Sequence, residues 1–192
     1  NFILARPNDD DVKRLAEYVA KNKGKTADPS DPELKKITKA FFSLNDFELE
    51  NMKDIADKMN GLKNPSATKY DKADPAEDKT KYEWMKTVTW TVEGHTDSQG
   101  NEDSNQKLSE RRAKVISLLL QAFGVDSARL TDMGYGETRL AVPEKGTYAQ
   151  IQTAQTKNRR VIIRVKGEIT SAPINQIPDG KSVPVDPNKP AP

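Results

Sequence analysis

A chain of 192 residues has room for one ordinary domain with extensions, and 34% apolar against 31% charged residues suggests that polar extensions dilute a single core. With 31 basic and 29 acidic residues the formal net charge is +2, which argues against a nucleic-acid ligand, since those demand a clustered basic face. The absence of cysteine excludes a disulfide framework and a thiolate metal site, and no apolar run approaches the roughly 18 residues that span a bilayer.

The chain opens at Asn1 with no charged, apolar-cored leader, so it reads as a mature or trimmed piece whose signal sequence, lipid anchor or membrane barrel would lie upstream. Asn8 to Asp11 supply a cap and first-turn acids, and Val12, Leu15, Ala16, Val19 and Ala20 follow at helical spacing before Lys21, Lys23 and Gly24. This predicts a short amphipathic helix over 9–23 that packs on the main domain or on a partner. Thr26 to Asp31, followed by Pro32, reads as a linker that closes an N-terminal unit at residue 33.

Leu34 to Phe42, with I-T-K-A-F-F, reads as a first strand. After a turn at 43–46, Asp46 caps a helix with Leu49, Met52, Ile55, Ala56 and Met59 inward, and Gly61 closes it. Lys63 to Lys86 is an insertion of mixed charge. It is either a solvated loop or an appendage for a partner, with Tyr70, Tyr82 and Trp84 as its contacts. Thr87 to Val92 is β-branched and aromatic, a strand. Gly94 and Gly100 then bracket a polar loop, and Leu108, Val115, Ile116, Leu119, Leu120 and Phe123 repeat at helical spacing over 108–123.

Gly124 to Asp126 makes a turn, and Arg129 to Gly136 is a short strand ending at a glycine-flanked aromatic. Thr138 to Lys157 reads as a long polar loop with a helical turn near Tyr148 to Ala154. A last strand follows over 159–165, with Val161, Ile163 and Val165 on one face and Arg160, Ile162 and Arg164 on the other. Residues 168–192 carry six prolines and form an extended tail. The order β-α-β-α-β-β, with one extra N-terminal helix in front, predicts a two-layer α/β sandwich. Two helices cover one face of a mixed four-stranded sheet built from residues 34–167.

One residue breaks the apolar stripe of the central helix. Arg112 lies four after Leu108, on or beside that stripe, and a guanidinium there cannot shed its charge. Asp97, at the carboxyl end of the preceding strand, is the nearest anion. Two readings fit. The pair holds a zwitterion such as an amino-acid end group, or it is a salt bridge locking loop to helix. His95 is the single histidine. With Asp97 and Ser109 it does not make a hydrolase, because no G-x-S-x-G elbow exists, and with no second histidine at helical spacing it does not make a zinc site. The expectation is a structural histidine, no enzyme, no metal and no cofactor.

The stretch G94-H95-T96-D97, G100, N105, L108-S109, R112-A113, with N158-R159-R160-V161 later, resembles the peptidoglycan-binding domain of the OmpA C-terminal, Pal and MotB family. The resemblance covers roughly residues 36–166 and implies the same α/β fold. It also implies a ligand, the diaminopimelate residue of a peptidoglycan stem peptide. Asp97 would take the ammonium and Arg112 the carboxylate, with Thr96 and Asn105 adding polar contacts. Asn105 serves equally as the cap of the central helix. Of the adjacent arginines Arg159 is expected beside the ligand, and Asn45 and Asp46 border the same rim. The protein would be periplasmic, attached to the outer membrane through a part outside this piece. Its role would be to anchor an outer-membrane protein or lipoprotein to the wall. The alternative is an envelope protein-interaction module that uses 9–23 or 63–86. A stator-type module of the flagellar motor shares the wall-binding chemistry and would need an upstream transmembrane helix.

Overall fold

A computed structural model describes residues 6–39, 46–62 and 82–166. Its elements run α1 (Asp9–Lys21), α2 (Pro32–Lys39), α3 (Asp46–Met59), β1 (Trp90–Gly94), α4 (Glu102–Ala122), β2 (Leu130–Gly134), α5 (Tyr148–Asn158) and β3 (Val161–Val165), with short 3-10 turns at Glu83–Thr87 and Ser127–Arg129. The described strands form one mixed sheet in the order β2-β1-β3, β1 pairing parallel with β2 and antiparallel with β3.

The central helix α4 lies across this sheet. Trp90 and Val92 of β1 and Val161 of β3 are buried with Val115, Ile116, Leu119, Leu120 and Phe123 of α4, and Ile163 and Val165 pack against the same core. The register sets Ile163 opposite Val92, so the apolar residues of β3 fall on the face that α4 covers. Leu49, Met52, Ala56 and Met59 bury the inner side of α3. α1 begins on a capping box between Asn8 and Asp11 and packs Leu15 and Tyr18 into the core. It is tied to α4 by Arg111 Nε, which donates to the Pro7 carbonyl at 2.8 Å, and Ala27 N donates to the Ala122 carbonyl at 2.8 Å.

The expected first strand is corrected. Residues 34–39 lie in α2, and 40–42 fall outside the described residues. The reason is local. Asp31 accepts from Glu33 N at 2.7 Å and Leu34 N at 3.3 Å, so Asp31-Pro32 is a cap followed by proline at the first helical position, where a missing N–H costs nothing. Leu34 and Thr38 then bury one helical face. The described sheet therefore has three strands, not the expected four. Two smaller differences are also local. Residues 148–158 form a full helix on a Thr147–Gln150 capping box, and Thr87 belongs to a 3-10 turn rather than to a strand. That turn is held by Arg129, which donates to the carbonyls of Met59 and Met85 at 2.6 Å each.

Candidate binding site

The site lies at the carboxyl end of β1, and close packing builds it. A Cβ on Gly94 would stand 2.0 Å from the Ser109 carbonyl, so glycine lets α4 pass almost against the end of the strand. The chain then leaves the sheet with its backbone anchored on both sides. His95 N donates to the Arg160 carbonyl at 3.0 Å, Thr96 N to Gly136 at 2.9 Å, and Tyr135 N to Gly94 at 3.0 Å. A turn at Gly100 (φ +108°) delivers the chain to α4, whose cap is Asn101.

Under this turn sits Arg112, 2% exposed and among the largest fully buried side chains. Its Nη1 donates to the His95 carbonyl at 3.0 Å. Burial pushes the guanidinium down to about 10, opposed by the charge of Asp97, so it remains a cation at neutral pH. Asp97 is 6% exposed. One carboxylate oxygen accepts from Gln99 N at 3.3 Å and the other from Arg159 Nη1 at 2.6 Å. Arg159 ends α5, and its Nη2 donates to Thr156 Oγ1 at 3.0 Å. Its neighbour Arg160 is buried at 9% and serves the framework, donating to the carbonyls of Asn158 and Arg139.

Asn105 is one turn inside α4 and does not cap it. Its Nδ2 reaches Asp97 O at 3.4 Å, Gln99 O at 3.1 Å and Glu137 Oε2 at 2.6 Å, holding the turn onto the helix. Thr96 is 1% exposed, and its Oγ1 has no hydrogen-bond partner among the described residues. His95 stacks on Tyr135 at 5.5 Å, and neither ring nitrogen has a hydrogen-bond partner among the described residues. Burial, reinforced by the charge of Arg160 and opposed by Glu93, pushes its pKa down to about 4, which keeps it neutral. Thr96, Asp97, Asn105, Arg112 and Arg159 thus share one end of the sheet. Asn45 and the side chain of Asp46 lie outside the described residues.

Sequence reasoning passed over the second clamp of this site. Asn158, fully buried, accepts from Ala141 N and Val142 N and donates to Val142 O and Glu144 Oε1. Glu144 in turn accepts from Ser98 Oγ at 2.7 Å and Ser98 N at 3.2 Å. Although burial opposes it, these donors hold the Glu144 carboxyl below its usual range. The 141–144 loop is thereby pinned beside Asp97. The only signal in the sequence was Asn158 next to the paired arginines.

Chemically, a carboxylate and two guanidiniums face one another across a few residues. This arrangement suits a small group carrying both charges. Among the described residues no three His, Asp or Glu side chains converge as metal ligands would. No described helix is long and apolar enough to cross a membrane.

Residues 76–159 match the model of the OmpA family. The chain is 42% identical over 85 residues to Outer membrane porin F of Pseudomonas aeruginosa, covering 43% of this chain and 22% of the porin. It is 36% identical over 72 residues to Peptidoglycan-associated lipoprotein of Haemophilus influenzae, covering 38% of this chain and 44% of the lipoprotein. The chain therefore spans from 9% to under half the length of the curated relatives it matches. Among solved structures it is similar to the C-terminal domain of Helicobacter pylori MotB, at 20% identity and TM-score 0.45, over 66% of this chain and 78% of that one.

Proposed function

The chain carries a domain of the OmpA family over residues 76–159, and from that premise we propose that the turn at 95–99 binds the stem peptide of peptidoglycan through its diaminopimelate residue. Asp97 receives the ammonium of that residue's free end, and Arg112 with Arg159 receives the carboxylate. Thr96, whose buried hydroxyl lacks a partner among the described residues, and Asn105 line the same turn. The module is a binder and not an enzyme. It tethers a periplasmic, outer-membrane-associated protein to the wall.

The observation that carries this reading is the burial of Arg112 beneath the Asp97 turn. A guanidinium 2% exposed, with the Asp97 charge facing it, costs desolvation that a fold needing only packing would avoid. Each charge-assisted contact to a ligand contributes roughly 1.5–3 kcal/mol, offset by the entropy of association. Affinity on the order of 4–8 kcal/mol, micromolar to millimolar, is the expectation. Many such grips on a polymeric wall add up to a firm tether through effective concentration.

The test is a calorimetric titration with a diaminopimelate-containing muropeptide and its lysine-containing counterpart. Asp97→Ala and Arg112→Ala are compared with the unaltered chain, and folding is checked by circular dichroism. Binding of the first peptide alone, lost in both variants, is the expected result. Affinity unchanged in two folded variants would move recognition to another surface.

A further inference from the structure

In the free protein the Asp97 carboxylate is already occupied by a cation of the same chain. Arg159 Nη1 stands 2.6 Å from Oδ2, and Gln99 N takes Oδ1. We propose that this ion pair is a latch, and that ligands enter by exchanging ion pairs, so that the site selects zwitterions over simple amines. The proposal rests on the stem-peptide reading above and adds to it what sets selectivity.

The geometry divides the two arginines. Arg112 is buried and fixed on the His95 carbonyl, so it forms a static floor. The Arg159 side chain is 30% exposed while that of Asp97 is 9% exposed. Arg159 can therefore swing outward without carrying its charge into a dry interior, and its Nη2 keeps Thr156 Oγ1 as a pivot at the rim. An incoming ammonium that takes Oδ2 must displace Nη1. A ligand with only an amine exchanges one cation for another and leaves the guanidinium without its anion. A ligand bearing a carboxylate on the same carbon as its ammonium gives the released Nη1 a new anion, so one ion pair becomes two. Discrimination comes from the cost imposed on the wrong ligand as much as from attraction to the right one.

The latch makes a signed prediction for Arg159→Gln. Without the guanidinium Asp97 is open to any amine, so the lysine-containing muropeptide should bind roughly tenfold more tightly than to the unaltered chain, and the diaminopimelate form roughly tenfold more weakly. Arg159→Lys, which keeps a charge but not the fork, should fall between. Both variants are tested in the full chain by calorimetry, with circular dichroism as a check on folding. A further readout is the guanidinium nitrogen resonance of Arg159, which should shift when the diaminopimelate peptide is added. If Arg159→Gln weakens both peptides alike or changes neither, the exchange is overturned while the stem-peptide reading stands. If the unaltered chain binds neither peptide, that reading falls and the latch with it.

Discussion

Gly94 and Ser109 touch backbone to backbone: a Cβ on Gly94 would lie 2.0 Å from the Ser109 carbonyl oxygen and 3.2 Å from Ala113 N. This contact fixes the depth at which α4 crosses β1, and therefore where Arg112, three residues after Ser109, meets the end of the strand. Gly94→Ala should push strand and helix apart at a cost of about 3 kcal/mol, at the upper end of overpacking penalties. Thermal denaturation should report a fall of roughly 6–12 °C. Muropeptide affinity should drop as well, because the floor of the site moves. An unchanged melting temperature would show that the two elements can separate freely.

Arg129 joins three parts of the chain away from the site. Besides the Met59 and Met85 carbonyls it reaches Val88 O at 3.2 Å and Asn60 Oδ1 at 3.1 Å. Burial lowers its pKa without removing its charge. Arg129→Ala leaves several carbonyls half-satisfied and should cost about 2 kcal/mol, discounted because the group is partly solvated. Urea unfolding should show a lower midpoint at unchanged slope. Ligand affinity should stay within about twofold, since Arg129 precedes β2 at the end of the sheet about 13 Å from the site. A loss of binding equal to that of Arg112→Ala would mean that the 3-10 turn and the site are coupled.

These two cases show what was legible in the sequence. The spacing of apolar residues located α1, α3 and α4, and the pairing of a buried-face arginine with an acid at a strand end singled out Arg112 and Asp97. Leu34 to Lys39 was misread because the β-branched pair Ile37 and Thr38 outweighed the Asp31-Pro32 cap, which decides the conformation of the first turn. The full length of α5 was hidden because its polar residues carry almost no periodicity, leaving the Thr147–Gln150 capping box as its signal. The roles of Asn158, Glu144 and Arg129 depend on contacts made 14 to 70 residues away, and no local pattern encodes those.

Asn158 is the keystone of the rim loop. Its amide satisfies two backbone N–H groups, one carbonyl and Glu144. Asn158→Ala should cost about 1–2 kcal/mol, because two part-buried backbone donors lose their acceptor at once. Asn158→Asp retains the acceptor but sets a second carboxylate against Glu144, whose Oε1 lies 2.8 Å from the present amide nitrogen. At pH 7 it should be at least as destabilising as the alanine variant, and it should recover stability near pH 5 as one carboxyl of the pair takes up a proton. Denaturant melts at the two pH values separate the cases. An aspartate variant that is equally stable at both would show that the loop yields and parts the charges.

His95 gives the protein a pH dependence whose sign follows from its surroundings. The imidazole is 1% exposed, stacked on Tyr135, and its pKa is pushed from the ordinary 6.5 down to about 4 by burial and by Arg160. In the unfolded chain it gains a proton near pH 6.5, and in the folded chain only near pH 4. Between those values the unfolded state binds more protons, so stability rises with pH across the window and is lost as pH falls through it. The span corresponds to at most about 3 kcal/mol. The depressed carboxyls of Asp31 and Glu144 add their own loss as pH falls through their ordinary values of 3.8 and 4.5 and below, so Glu144 overlaps the acid end of this window. Because neither nitrogen of His95 has a hydrogen-bond partner among the described residues, His95→Phe keeps the stack with Tyr135 and removes the titrating group. It should match the unaltered chain at pH 7 and exceed it by about 2 kcal/mol at pH 4.5 in guanidinium unfolding. A phenylalanine variant with the same slope of stability against pH from 6.5 to 4.5 would assign the acid sensitivity to other groups.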